Sequence, residues 1–226
     1  MKKLFVLIAL VLLGSCASES EQKGLQAISA EYEGNATYSK SFNSSMGQQT
    51  FKSFNVRLSN SARIDTLPPA VTTGNIARMA YESFSEKERS SYTHVSVELI
   101  NSKNDTASYQ YPMSILPILA QKAKTFKDFS AHLVRRDFKK IDALKNDEEI
   151  PGAIGERIGI TLSEMEKSFG KLTAYESFGI SEIEDAKGSA YQYQGYLVFG
   201  NGIRKPYFVF VDTKPEDDRM IGFRVR

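Results

Sequence analysis

Two histidines, one cysteine and no tryptophan are the scarce residues of this 226-residue chain, and they narrow the chemistry open to it. His132 and Asp137 are the pair that could move a proton, as a base and its orienting carboxylate. They stand five apart, whereas groups stacked on one helix face stand three or four apart. The spacing therefore gives no reason to bring them together, and His132, beside Leu133, is expected to pack at a helix edge. His94 alternates with apolar neighbours and is expected to face solvent. The chain contains no Gly-x-Ser-x-Gly elbow, phosphate-binding loop, His-Glu-x-x-His pair or Cys/His cluster. Gly152, Gly155 and Gly159 lack dinucleotide-binding spacing and are expected to punctuate a loop. Arg135, Arg136, Lys139 and Lys140 form a basic cluster followed by Asp142, Asp147, Glu148 and Glu149, which reads as a self-balanced, solvated face. No catalytic residue and no metal ligand is assigned, and the chain is read as a non-enzyme.

The single thiol has a more definite context. Lys2 and Lys3 precede an unbroken apolar run over residues 4–13, which ends in Leu13-Gly14-Ser15-Cys16. Ten apolar residues cannot cross a bilayer core, which needs about 20, and match the apolar region of a secretory signal. The branched apolar residue, two small residues and Cys resemble the bacterial lipobox. That resemblance implies a signal peptide over residues 1–15 and a covalent diacylglycerol and acyl anchor on Cys16, the only cofactor-like group expected. It also implies a mature chain held at the cell envelope, with about 0.8 kcal/mol of membrane affinity per buried methylene. Ala17 is not the Asp that resembles an inner-membrane retention signal, so the outer membrane is expected, facing either the periplasm or the exterior. Residues 16–27, rich in Ser and Glu, are expected to be a soluble tether.

Charge follows the same division. The 29 Lys and Arg against 27 Asp and Glu give a net charge of +2. Lys2 and Lys3 leave with the signal peptide, so the mature chain carries 27 of each sign. A neutral body offers no excess positive charge for phosphates, and no nucleic-acid partner is expected. The 41% hydrophobic and 25% charged composition excludes a disordered tail protein, a collagen-like repeat and a many-pass membrane protein.

The elements that must carry any site read as α+β, in two small units. In the first, over residues 28–118, a polar stretch 34–49 is expected to be turn-rich. Phe54, Val56 and Leu58 then alternate with Ser53, Asn55 and Arg57 as a half-buried strand. Thr73 is read as the N-cap of a helix carrying Ile76, Met79, Ala80 and Phe84, which the charged residues 85–89 close. Thr93, Val95, Val97 and Leu99 form the inner face of the next strand. After a turn at 101–105, Tyr109, Tyr111, Met113 and Ile115 line a returning strand whose Pro112 suits a sheet edge. The order is an N-terminal β-α-β-β unit. In the second unit, over residues 119–226, Phe126, Phe129 and Leu133 mark one helix. Thr161 and Glu164 read as the capping box of another helix that ends at Gly170. From residue 171 the period becomes two, with a hairpin at Gly200-Asn201-Gly202, a doubly apolar central strand at 207–212, and a last strand with Ile221, Phe223 and Val225 inward. Helices followed by an antiparallel meander describe a cone.

On Leu133, Arg136-Asp137-Phe138, Phe169-Gly170-Lys171-Leu172, Tyr175-Glu176 and the long hairpin at 191–211, the second unit resembles cystatin-like and nuclear-transport-factor-like domains of uncharacterised secreted bacterial proteins. The resemblance covers just under half the chain and implies helices over a curved sheet whose concave face can hold an apolar pocket. Tyr191, Tyr193, Tyr196 and Tyr207 would line it. Two functions follow as expectations: a membrane-anchored lipoprotein that binds or scaffolds, with an envelope protein or a small apolar ligand as partner, or a small enzyme or ligand carrier working in the cone. The anchor is tested directly. Replacing Cys16 by Ser is expected to abolish incorporation of a palmitate analogue in cells, and unchanged incorporation would sink the lipobox assignment.

Overall fold

The computed structural model describes residues 17–43, 50–185 and 188–226; the expected signal peptide and Cys16 lie outside the described residues. The elements run α1 (Glu19–Tyr32), β1 (Asn35–Asn43), β2 (Phe51–Ser59), α2 (Pro69–Ser83), α3 (Glu86–Ser91), β3 (His94–Ile100), β4 (Thr106–Pro112), α4 (Leu116–Arg135), α5 (Phe138–Asp142), α6 (Gly155–Phe169), β5 (Leu172–Asp185), β6 (Gly188–Phe199), β7 (Arg204–Asp212) and β8 (Met220–Val225). The fold is α+β. A first, mixed sheet has the order β1-β2-β3-β4, and its one parallel pair, β2 with β3, is joined through α2. A second sheet is the antiparallel meander β5-β6-β7-β8.

The helix α2 ties the sheets together. It packs on β3 and β4 of the first sheet, on β5 of the second, and on α1 and α4. Residues 72–78 and Ala80 are all buried, so every side of this helix faces protein. An all-buried helix is ordinarily apolar all round. This one carries Thr72, Thr73, Asn75 and Arg78, each of which must find a partner inside. Asn75 Nδ2 donates to Tyr32 Oη at 2.8 Å, and Tyr32 Oη donates to the Phe178 carbonyl at 3.0 Å. Asn75 Oδ1 accepts from Arg78 Nη2 at 2.8 Å and from Ser177 Oγ at 3.3 Å. Arg78 Nη1 meets Glu82 at 2.6 Å, and Glu82 also receives Lys127 of α4 at 2.9 Å. One polar chain therefore joins α1, α2, β5 and α4. The apolar core is continuous around it, and the boundary expected near residue 118 falls in the first turn of α4.

Several expectations are corrected. Residues 19–27, expected within the tether, belong to α1. Ser18 caps that helix in a reciprocal box with Glu21, and Glu21, Gly24 and Ile28 are buried against the body. The stretch after residue 34 is strand β1, an edge strand. It reads as polar because Thr37, Ser39 and Ser41 face outward and because Lys40, on its inner side, pairs with the buried Glu21 at 2.9 Å. Thr73 is not a cap. The helix begins at Pro69, where a proline fits the first turn, and the Thr73 hydroxyl bonds back to the Pro69 carbonyl at 2.9 Å and meets Tyr111 Oη at 2.8 Å. Residues 86–91 form a separate short helix capped by Ser85 and Glu88. β4 ends at Pro112, on the sheet edge as expected, so Met113 and Ile115 lie beyond it. The Thr161–Glu164 box also fails. α6 has already begun at Gly155, and its free N–H groups at Ile154 and Gly155 bond to Asp142 Oδ1 at 2.6 and 3.0 Å. Gly155 and Gly159 are helical and lie against Phe138, leaving Gly152 as the loop glycine. In β8 the register shifts between Phe210 and Val211, which leaves Ile221 extra and gives Met220 the buried place.

At the rim of the polar chain, Glu31 Oε1 is buried without a hydrogen-bond partner. Burial holds this carboxyl above the usual carboxylate range despite the opposing pull of Arg63. The fold thus favours its neutral form. Its contribution is full below the ordinary carboxylate pKa and is lost as pH rises through the raised value. Glu31→Gln is therefore expected to melt above the wild type at pH 8, with the difference closing by pH 4. A wild type that melts higher at pH 8 would show that Arg63 and Arg78 outweigh the burial.

Candidate functional site

The face of the meander under α4 is filled. α4 lays Phe126 against it, stacked on Tyr207 with ring centroids 5.5 Å apart and on Tyr193 at 6.0 Å. Tyr193 Oη donates to the Leu119 carbonyl at 2.7 Å, and Tyr207 Oη meets Ser130 Oγ at 2.5 Å. Burial pushes both phenols well above the usual tyrosine range, so both stay protonated at ordinary pH. Tyr191 is buried in the same strand, paired with Val211. Tyr191 and Tyr193 are packed into the core, and Tyr207 borders a narrow apolar slot. Tyr196 lies on the other face, 4.5 Å from Phe178 between ring centroids, beside a shallow cleft with Arg63 and Arg204. Both arginines are already matched there by Glu176, at 2.8 and 3.0 Å. The remaining apolar slot, between Leu133, Leu162, Tyr207 and Phe223, measures about 20 Å³. Ligand cavities run to about 300–1,000 Å³.

His132 and Asp137 do meet, contrary to the spacing argument, because the helix ends between them. Arg136 adopts a left-handed conformation at φ 60°, and the Asp137 N–H bonds back to the His132 carbonyl at 2.8 Å. The Asp137 carboxylate then lies 3.9 Å from His132 Nδ1, beyond hydrogen-bond reach, and His132 Nδ1 has no hydrogen-bond partner. Asp137 is instead held by Lys140 at 2.9 Å, which keeps its carboxyl below the usual range and makes it a weaker base. The pair closes a helix end. Of the basic cluster, Arg136 engages Glu166 of α6 and Lys140 engages Asp137, so the neutralising partners differ from the acids next in sequence. Among the described residues no group of three or more His, Cys, Asp or Glu could hold a metal ion, and no helix is long and apolar enough to cross a membrane.

A broad open surface is the outer face of the first sheet. Strand alternation sends Phe54, Val56, Leu58, Val95, Val97 and Leu99 into the core, and so puts the intervening residues outside. The register aligns them in rows: Ser39, Asn55, Ser96 and Gln110 form one, and Thr37, Arg57, Glu98 and Ser108 the next. Arg57 and Glu98 pair at 2.9 Å, leaving hydroxyls and amides as the dominant groups. Ser53 Oγ and Ser96 Oγ meet at 2.8 Å, and Asn55 Nδ2 donates to Ser39 Oγ at 3.2 Å. His94 stands at the end of this face, half-buried, with its ring stacked on Phe51 at 4.6 Å and Nδ1 2.9 Å from Thr93 Oγ1. The rows floor a groove of about 570 Å³, rich in donors and acceptors and free of net charge. The outward residues of β2 and β3 are legible in the sequence as polar alternation. β1 is not, and the width of the face is hidden with it.

No family model, curated protein or solved structure matches this chain.

The close fit of α4 to the meander rests on one residue without a side chain. A Cβ on Gly195 would come within 2.5 Å of the Glu176 carbonyl, 2.8 Å of Tyr207 and 2.9 Å of Phe126. Gly200, in the hairpin, has nothing nearer than 3.6 Å. Gly195→Ala is expected to cost about 1–3 kcal/mol through overpacking, lowering the melting temperature by about 2–4 °C per kcal/mol. Gly200→Ala is the control, expected to stay within about 0.5 kcal/mol. Equal effects would show that the cone has slack.

Proposed function

We propose that this chain is a lipoprotein of the cell envelope, anchored through Cys16, whose folded body is a non-catalytic binding or scaffolding module for another envelope protein. The observation that carries this reading is the filled cone. With Phe126 between Tyr193 and Tyr207, the place where a small-molecule site was expected is core. The surface that remains to do work is the hydroxyl and amide face of the first sheet. Its short side chains present many hydrogen-bonding groups with little rotamer freedom to lose, which suits recognition of another polar surface. The outer membrane remains the favoured site, on the residue after Cys16.

A photo-crosslinking residue in place of Asn55, at the centre of this face, tests the assignment in intact cells. A discrete adduct is expected there and none from the same residue at Ile160, which is exposed on α6. Absence of any specific adduct at position 55 would remove the support for this face as the binding surface.

A further inference from the structure

The four edges of the two sheets are not alike. An edge strand presents unpaired N–H and C=O groups, and natural proteins blunt such edges with cover, charge, bulges or proline. β1 gives its Ala36 N–H to Ser29 of α1 at 3.0 Å and carries Lys40. β5 has its Phe178 carbonyl taken by Tyr32, shifts register twice, and carries Glu176, Glu182, Glu184 and Asp185. β8 is flanked at its start by residues 144–146, whose backbone bonds to Met220 at 2.8 Å, and it carries Arg224 and one register shift. β4 has none of these devices before its last residue, Pro112. Residues 106–111 are uncharged and pair with β3 without a register shift.

The hydrogen bonds flanking β4 fix which of its groups are open. The Asn101 N–H bonds to the Asp105 carbonyl at 3.1 Å, and the Met113 N–H to the Thr93 carbonyl at 2.9 Å. Alternation between these two points turns the backbone of Ala107, Tyr109 and Tyr111 toward β3. The N–H and C=O groups of Thr106, Ser108 and Gln110 therefore point away from the sheet, and no described residue bonds to them. Pro112 has no N–H, and its carbonyl accepts from Ile115 at 3.2 Å, so the open row ends at Gln110.

We propose that β4 pairs with β4 of a second copy of this chain, antiparallel about a two-fold axis at Ser108. Ser108 then faces the partner's Ser108, and Thr106 faces the partner's Gln110. Every open N–H of the row meets an open carbonyl. On the side facing α2 the same register sets Tyr109 against the partner's Ala107, a large side chain opposite a small one. Tyr109 is 39% exposed, and this pairing covers it. Charge selects the occupant: a charged strand opposes itself across a two-fold axis, and residues 106–111 bring no charge to do so. The first sheets of the two copies become one sheet of eight strands, and the rows of hydroxyls and amides on its outer face run on across the axis. The pairing goes beyond the binding role proposed for that face and does not depend on the anchor.

An edge contact of this kind belongs with the weak interfaces, below about 1,200 Å², so covalent trapping is the sensitive test. The chain beginning at residue 16 loses its only thiol with Cys16→Ser. Added to that chain, Ser108→Cys puts two thiols opposite each other on Cα atoms about 5.5 Å apart. A disulfide spans about 4.4–6.8 Å between Cα atoms. Gln110→Cys, also on the exposed edge, lies four residues out of register with its own copy, about 14 Å along the strand. In a glutathione redox buffer, Ser108→Cys is expected to form the disulfide dimer several-fold faster than Gln110→Cys. Gln110→Pro added to Ser108→Cys removes one outward N–H and leaves the ladder to β3 intact. It is expected to slow trapping to the Gln110→Cys rate with the circular dichroism unchanged. Equal rates at 108 and 110, or no dimer at either, would overturn the self-pairing. So would crosslinking of position 108 in intact cells to a different protein alone, which would assign the edge to a foreign strand.

Discussion

Burial of α2 on every side is the constraint from which the rest of the architecture follows. A helix enclosed this way must satisfy each polar side chain from within, and an unpaired one costs about 1–3 kcal/mol. Asn75 does most of this by linking Tyr32, Arg78 and Ser177, which come from α1, α2 itself and β5. Thr73 adds Tyr111 of β4, so the partners of α2 span both sheets and neither sheet closes its core alone. The halves that look separable along the chain share one interior, because the polar groups of α2 find their partners only when both are assembled.

The same constraint makes α1 part of the body. Tyr32, its last residue, is fully buried and supplies the hydroxyl between Asn75 and the Phe178 carbonyl. At the other end of α1, Glu21 and Ser18 engage Lys40, Tyr92 and Glu88. A helix held at both ends is a fixed part of the body.

Much of this fold is legible in the sequence where one face of an element is apolar and the other polar. β2 and β3 announce themselves by alternation, the meander by its change of period, and α4 by Phe126, Phe129 and Leu133. The misses have physical causes. β1 is an edge strand whose outer face is solvated and whose inner side places Lys40 on a buried glutamate, so alternation in hydropathy is absent there. Of the Ser/Thr-x-x-Glu patterns, those at Ser18 and Ser85 are real caps, and the one at Thr161 lies within a helix. At Thr161, Ile154 and Ile158 already stand at helical spacing ahead of the pattern, so the helix has begun before it. The meeting of His132 with Asp137 is hidden because the spacing rule for a helix face does not hold across a helix end, which only the left-handed Arg136 reveals.

The packing of α4 on the meander bears on where a ligand could bind. To open a pocket there, Phe126 would have to leave the stack between Tyr193 and Tyr207, and the two hydroxyls that bond to Leu119 and Ser130 would lose the helix that positions them. Truncating a buried phenylalanine costs about 3–5 kcal/mol, a large share of the roughly 5–15 kcal/mol by which a domain is stable. Ligand binding in this meander would thus oppose the packing that holds α4, and α4 in turn carries Lys127 to the polar chain around α2. The outer face of the first sheet carries no such burden, since its inward residues alone hold the strands to the core. Its outward residues can vary without disturbing the interior, and that separation of stability from contact is the physical reason we place the proposed recognition on that face.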